Sequence, residues 1–108
     1  MFKRRSVEDK AKDILRDSNW FRDYYYVVKV IESCEGTDKP MPIMNARKWG
    51  FKLLDDKYEN IQNKLSPELK KATEELYFDY RMQLRDIFEG VWDKVAKKIV
   101  ANANDGNN

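Results

Sequence analysis

The residues of this chain that could do chemistry are few, and no motif groups them. Two acidic pairs, Asp55-Asp56 and Glu74-Glu75, offer carboxylates, and Cys34 offers the one thiol. A hard cation needs several oxygens converging on one point. Adjacent residues on a helix diverge by ~100° instead, so each pair is expected on a solvated face. Cys34 continues an apolar stripe of Trp20, Tyr24 and Ile31, where a cysteine packs as a small hydrophobe. The chain has no histidine. That removes the commonest general base and transition-metal ligand, and with it Ser-His-Asp and Cys-His catalysis. One cysteine cannot build a zinc site, and Gly36, Gly50, Gly90 and Gly106 are too scattered to cradle a phosphate. No catalytic residue, metal or cofactor is expected, and the chain is not expected to be an enzyme.

Binding is the remaining possibility, and two sets of residues point to it. The first is basic. Lys3, Arg4 and Arg5 open the chain, and Arg47, Lys48 and Lys52 surround Trp49 with no acid between Lys39 and Lys52. Basic residues interleaved with aromatics can hold single-stranded nucleic acid. The charge balance disfavours this reading: the formal net charge is +2, and three positive charges fall in the first five residues. The body is left near neutral, whereas a duplex-binding domain carries a basic face. The second set is apolar. Phe78 and Met82 stand four residues apart among charges, opposite a regular apolar stripe, and Tyr25 and Tyr26 also fall outside the stripe of their own segment. Single exposed apolar residues are ordinary. A stacked pair of aromatic and methionine is interface material. A protein–protein contact, foreign or with a second copy, is therefore the favoured reading, through Phe78, Met82, Tyr25, Arg81 and Arg85.

The elements that must position these residues are helices. After Ser66-Pro67-Glu68, an N-cap with proline and an acid in the first turn, apolar residues recur at Leu69, Ala72, Leu76, Tyr80, Leu84, Ile87, Val91, Val95 and Ile99. Steps of three and four are the helical period, and this predicts one long helix to about Ala101 that either bends near Gly90 or projects at one end. Ser6 and Asp9 mark the start of a first helix to about Asp17. Its stripe and that of Trp20 to Glu35 would lie on opposite sides of a continuous helix, so a break is expected at Asp17-Ser18-Asn19. Tyr24 to Ile31 is also the best strand candidate, but it has no second strand to pair with, and helix is preferred. Gly36 is expected to end that helix, followed by a loop from Thr37 to Pro42, with Pro42 a candidate for the first residue of the next helix. A third helix is expected from roughly Ile43 to Lys64, with an apolar arc wide enough to be covered on two sides. Gly50 lies within that arc, where it permits close helix approach.

These readings predict an all-α, single-domain bundle of about four helices packed antiparallel, with a long C-terminal helix. Residues 1–5 form a basic arm, 6–101 the helical domain and 102–108 a flexible Asn-rich tail. With 108 residues the chain suits one domain. No apolar run approaches the ~20 residues of a membrane span, and the basic start lacks the apolar stretch of a signal peptide. Val28-Lys29-Val30-Ile31-Glu32-Ser33-Cys34, then Thr37, then Ala46-Arg47-Lys48-Trp49 resembles a pattern in small α-helical proteins of tailed bacteriophages. The resemblance implies an origin more than an activity, and brings no site residues with it. It makes a structural or assembly component, or an inhibitor of a host protein, the expected role, in the cytoplasm or within a phage particle.

Overall fold

Local signals place four helices along the described residues, 6–105, of the computed structural model: α1 (Val7–Asp17), α2 (Trp20–Glu32), α3 (Pro40–Gln62) and α4 (Pro67–Asp105). The basic arm of residues 1–5 and the end of the tail, residues 106–108, lie outside the described residues. Ser6 caps α1, its Oγ accepting from the Asp9 N–H at 3.1 Å. Ser66 does the same for α4, accepting from the Leu69 N–H at 3.5 Å. The break between α1 and α2 falls on Asn19, whose φ of 65° and ψ of 17° are left-handed. Asparagine tolerates that conformation better than most residues, and the turn brings the stripes of both helices to one side. The segment Tyr24–Ile31 is helical, and no strand occurs among the described residues.

Two boundaries differ from expectation for identifiable reasons. α2 stops at Glu32 rather than continuing to Glu35, and Gly36 does not cap it in the left-handed conformation. Successive i to i−3 bonds close the end instead: Cys34 N–H to Ile31 O, Glu35 N–H to Glu32 O and Thr37 N–H to Cys34 O. α3 begins at Pro40 rather than at Pro42 or Ile43, so both prolines lie in its first turn. The first N–H groups of a helix have no intrahelical acceptor, so prolines there sacrifice nothing. Lys39, preceding Pro40, is extended at φ −120° and ψ 140°, as the residue before proline prefers.

The helices form three rods rather than four antiparallel ones. Along α4, Ala11 of α1 lies beside Ala72 and Leu76. Trp20 meets Tyr77 and Tyr80, Glu35 pairs with Lys94, and the Asn102 amide donates to Asp38 at 2.7 Å. α1 and α2, laid end to end, therefore run in the same direction as α4. α3 returns between them: Arg47 lies by Phe88, and Asp55 by Tyr77 and Arg81. α1 and α2 in line cover the first part of the long helix, and the turn after α2 carries the contact on as far as Asn102. The molecule is elongated, 73 × 27 × 18 Å. α4 also extends to Asp105, so residues 102–105 continue the helix where a flexible tail was expected.

The core centres on Trp20, Leu15, Val27, Ile31, Ile43, Leu84 and Val95, all fully buried. The Trp20 indole N–H donates to the Leu54 carbonyl at 3.2 Å, tying α2 to α3. Gly50 admits the close approach of α2 and α3, because a Cβ there would overlap a methyl of Val27. α4 is in contact with helices on two sides, so its buried arc is wider than one stripe. Thr73, Tyr77 and Phe88 join Leu84, Val91 and Val95 inside. Thr73 is tolerated because its hydroxyl donates to the Leu69 carbonyl at 2.6 Å.

Candidate functional site

The seam between α3 and α4 closes below Phe51 and opens above it into a groove of about 490 Å³. α3 contributes Met44, Asn45, Arg47, Lys48 and Phe51, residues on one side of the helix at spacings of three, four and seven. α4 contributes Phe78, Arg81, Met82 and Arg85, again one side of the helix over two turns. The floor is apolar and half-exposed: Met44 is 41% exposed, Phe78 50% and Met82 55%. Four cations line the groove and no acid does.

The cations are not equivalent. Arg81 is held in place: its Nε and Nη2 donate to Asp55 at 3.2 and 3.3 Å, and its guanidinium lies over the Phe51 ring, 4.9 Å from the centroid. Asp55 is itself fixed by the buried Tyr77 hydroxyl, which donates to the same oxygen. Tyr77 is in turn stacked on Tyr58, with ring centroids 4.1 Å apart and planes within 7°. Among the described residues Arg85 has only long pairs at the surface, 3.9 Å to Glu89 and 3.9 Å to Asp86, which contribute little. Arg47 reaches Phe88 at 5.0 Å and the Phe51 ring at 5.9 Å. Neither Arg47 nor Lys48 makes an ion pair among the described residues. Phe51 is thus approached by two guanidinium groups, only one of which has a counter-ion.

The groove joins two sets of residues that the sequence kept apart. Phe78, Met82, Arg81 and Arg85, expected at a protein contact, share one concavity with Arg47 and Lys48, expected for nucleic acid. Lys52 is not part of the lining: it faces solvent and bonds Asp56 at 2.7 Å, a contact that raises its pKa. Tyr25 is also elsewhere. It is exposed, edge-on to Tyr24 at 5.5 Å. Tyr80, whose pKa rises through burial and then through the nearby Tyr25, places it on the α2–α4 seam. Trp49, the aromatic residue among those basic ones, is 40% exposed and packs edge-on against Tyr26 at 5.7 Å. Lys3, Arg4 and Arg5 lie outside the described residues. Met44 and Phe51 were missed as site residues because they belong to the wide apolar arc of α3. Their spacing of seven, with Arg47 and Lys48 between them, was the available signal.

The first acidic pair has structural roles, while Glu74 and Glu75 are exposed. Asp55 holds Tyr77 and Arg81, and Asp56 holds Lys52. Among the described residues no cluster of His, Cys, Asp or Glu could hold a metal ion, and no helix is long and apolar enough to cross a membrane. Cys34 is partly buried against the core, with its Sγ donating to the Val30 carbonyl at 3.5 Å. No protein-family model, curated protein or solved structure matches the chain.

Proposed function

We propose that this chain is a non-enzymatic interaction protein that engages another protein through the α3–α4 groove. One observation carries the reading: an apolar floor of Met44, Phe78 and Met82 stands open to solvent beside a half-buried Phe51, ringed by cations, on two helices. Flexible methionines and exposed aromatics adapt to a partner's side chains, and a groove between two helices is a common seat for a third. The resemblance of residues 28–34, 37 and 46–49 to small helical phage proteins fits a part in particle assembly or in blocking a host protein. The two roles differ in the partner and not in the groove.

A photo-crosslinking residue at position 82 tests the proposal in the native host. A discrete adduct, with a foreign protein or a second copy, is expected. It should vanish with Phe78→Ser and be absent when the crosslinker replaces exposed Glu59. No adduct from position 82, or equal adducts from both positions, would sink the reading.

A further inference from the structure

We infer that the occupant of the α3–α4 groove is an acidic amphipathic helix of a partner protein, with its apolar residues on Phe78 and Met82 and its carboxylates on Arg47 and Lys48. This deepens the proposed function and rests on it.

Charge is the first reason. The lining carries four positive side chains and no negative one, although the chain as a whole is close to balanced at +2. Of the four groove cations, Arg81 alone has a close counter-ion among the described residues, Asp55. Arg47 and Lys48 stand on the opposite wall without an acid among the described residues, and Arg47 approaches the same Phe51 ring as Arg81. Two like charges on one ring repel each other in a partly desolvated site. A carboxylate brought to the Arg47 side supplies the missing partner and forms a charge-assisted bond.

Shape is the second reason. The α3 wall runs from Met44 to Phe51 and the α4 wall from Phe78 to Arg85, each about 10 Å at ~1.5 Å per residue. That length takes two turns of a helix, presenting apolar residues at i, i+3 or i+4, and i+7. Acids between and beside those residues would reach the cations on the rims. A single strand of nucleic acid fits the charge but not the floor. Stacked bases need open aromatic faces, and Phe51 already has Arg47 and Arg81 over its ring. Phe78 alone offers a free aromatic surface, and the two methionines offer none.

The experiment follows the Met44 and Met82 methyl signals by NMR while the full chain is titrated with three probes. The first is a helical peptide with leucines at i, i+3 and i+7 and glutamates between. The second has the same leucines with lysines in place of the glutamates. The third is a single-stranded oligothymidine. The expected result is saturable shifts of both methyls with the glutamate peptide alone. The affinity should fall at least about tenfold between ~0.1 and ~1 M salt, as the Debye length shrinks from about 10 to about 3 Å. Lys48→Glu and Arg47→Gln should each weaken binding several-fold, with the thermal melt unchanged for Lys48→Glu. Lys48 is exposed and outside the core, so its substitution separates binding from folding. Equal binding of the lysine peptide, tighter binding of oligothymidine, or indifference to both substitutions would overturn the inference while leaving the groove as a binding site. If no probe moves either methyl and position 82 yields no adduct, the proposed function fails with it.

Discussion

Two phenol groups show what the core tolerates. The Tyr24 and Tyr58 hydroxyls are buried and have no hydrogen-bond partner among the described residues. Burial, more than neighbouring charge, pushes both pKa values up to about 12. An orphaned buried hydroxyl costs roughly 1–3 kcal/mol, whereas the ring of Tyr58 stacked on Tyr77 contributes favourably and would survive in phenylalanine. Tyr58→Phe and Tyr24→Phe are therefore expected to leave stability equal or raise it by about 1 kcal/mol in urea titration. The sign of the pH effect follows from the same burial. An unfolded tyrosine ionises near pH ~10, while these remain protonated in the fold to about 12. The unfolded chain therefore loses protons first as pH rises, and stability falls through that window. Each Phe variant should flatten that alkaline slope while leaving stability below pH ~9 without a slope change of its own. An unaltered slope would mean the hydroxyls are solvated. Asp55 is the opposite case. Asp55→Ala removes the acceptor of the buried Tyr77 hydroxyl and the counter-ion of Arg81 together. It should cost about 1–3 kcal/mol, with Tyr77→Phe in the same background restoring part of the loss.

At the scale of the helix, two glycines with the same propensity cost make opposite predictions. Gly90 lies in α4, where an added Cβ would meet nothing within 4 Å, while at Gly50 an added Cβ would overlap Val27, itself fully buried. Gly90→Ala should stabilise by about 0.5–1 kcal/mol, the usual helix-interior gain. Gly50→Ala makes the same gain against overpacking of about 1–3 kcal/mol, because a stiff β-branched valine cannot turn aside. Its net effect should be a lower melting temperature, and Val27→Ala in the same chain should suppress the difference. Equal stabilisation at both positions would mean that α2 and α3 do not approach closely at Gly50. Much at this scale was legible in the sequence. The caps at Ser6 and Ser66 and the break at Asn19 are local, set by residues within a turn of each other. Gly50 was legible as a close-approach position because it interrupts an apolar arc. The end of α2 and the start of α3 were not, since a series of i to i−3 bonds and a proline-bearing first turn leave little periodic trace.

Across the whole molecule, direction and juxtaposition were the parts hidden from sequence. Periodicity names the face of a helix but not which neighbour covers it, so the running of α2 alongside α4 in the same sense could not be read. The groove was hidden for the same reason. Phe78 and Met82 stood out on one helix and Arg47 and Lys48 on another, and only the antiparallel return of α3 brings them together. The in-line arrangement of α1 and α2 also sets how much of α4 belongs to the folding unit. Val95 is fully buried and Ile99 packs against the core, with Lys98 donating to the Gly36 carbonyl at 3.1 Å. Beyond them, residues 100–104 are exposed, and the Asn102 bond to Asp38 is at the surface. Deletion of residues 102–108 should therefore change stability by no more than about 0.5 kcal/mol, as for surface changes generally. Deletion from Val95 onward removes one fully buried side chain, worth about 1.5–3 kcal/mol, together with Ile99 and the cover over the α2–α3 turn. It should lower the urea midpoint sharply and release the amides at the end of α2 to hydrogen exchange. If the longer deletion melts like the full chain, the distal part of α4 is not part of the core. If the shorter one is as damaging as the longer, the Asn102–Asp38 contact holds the turn more firmly than its exposure implies.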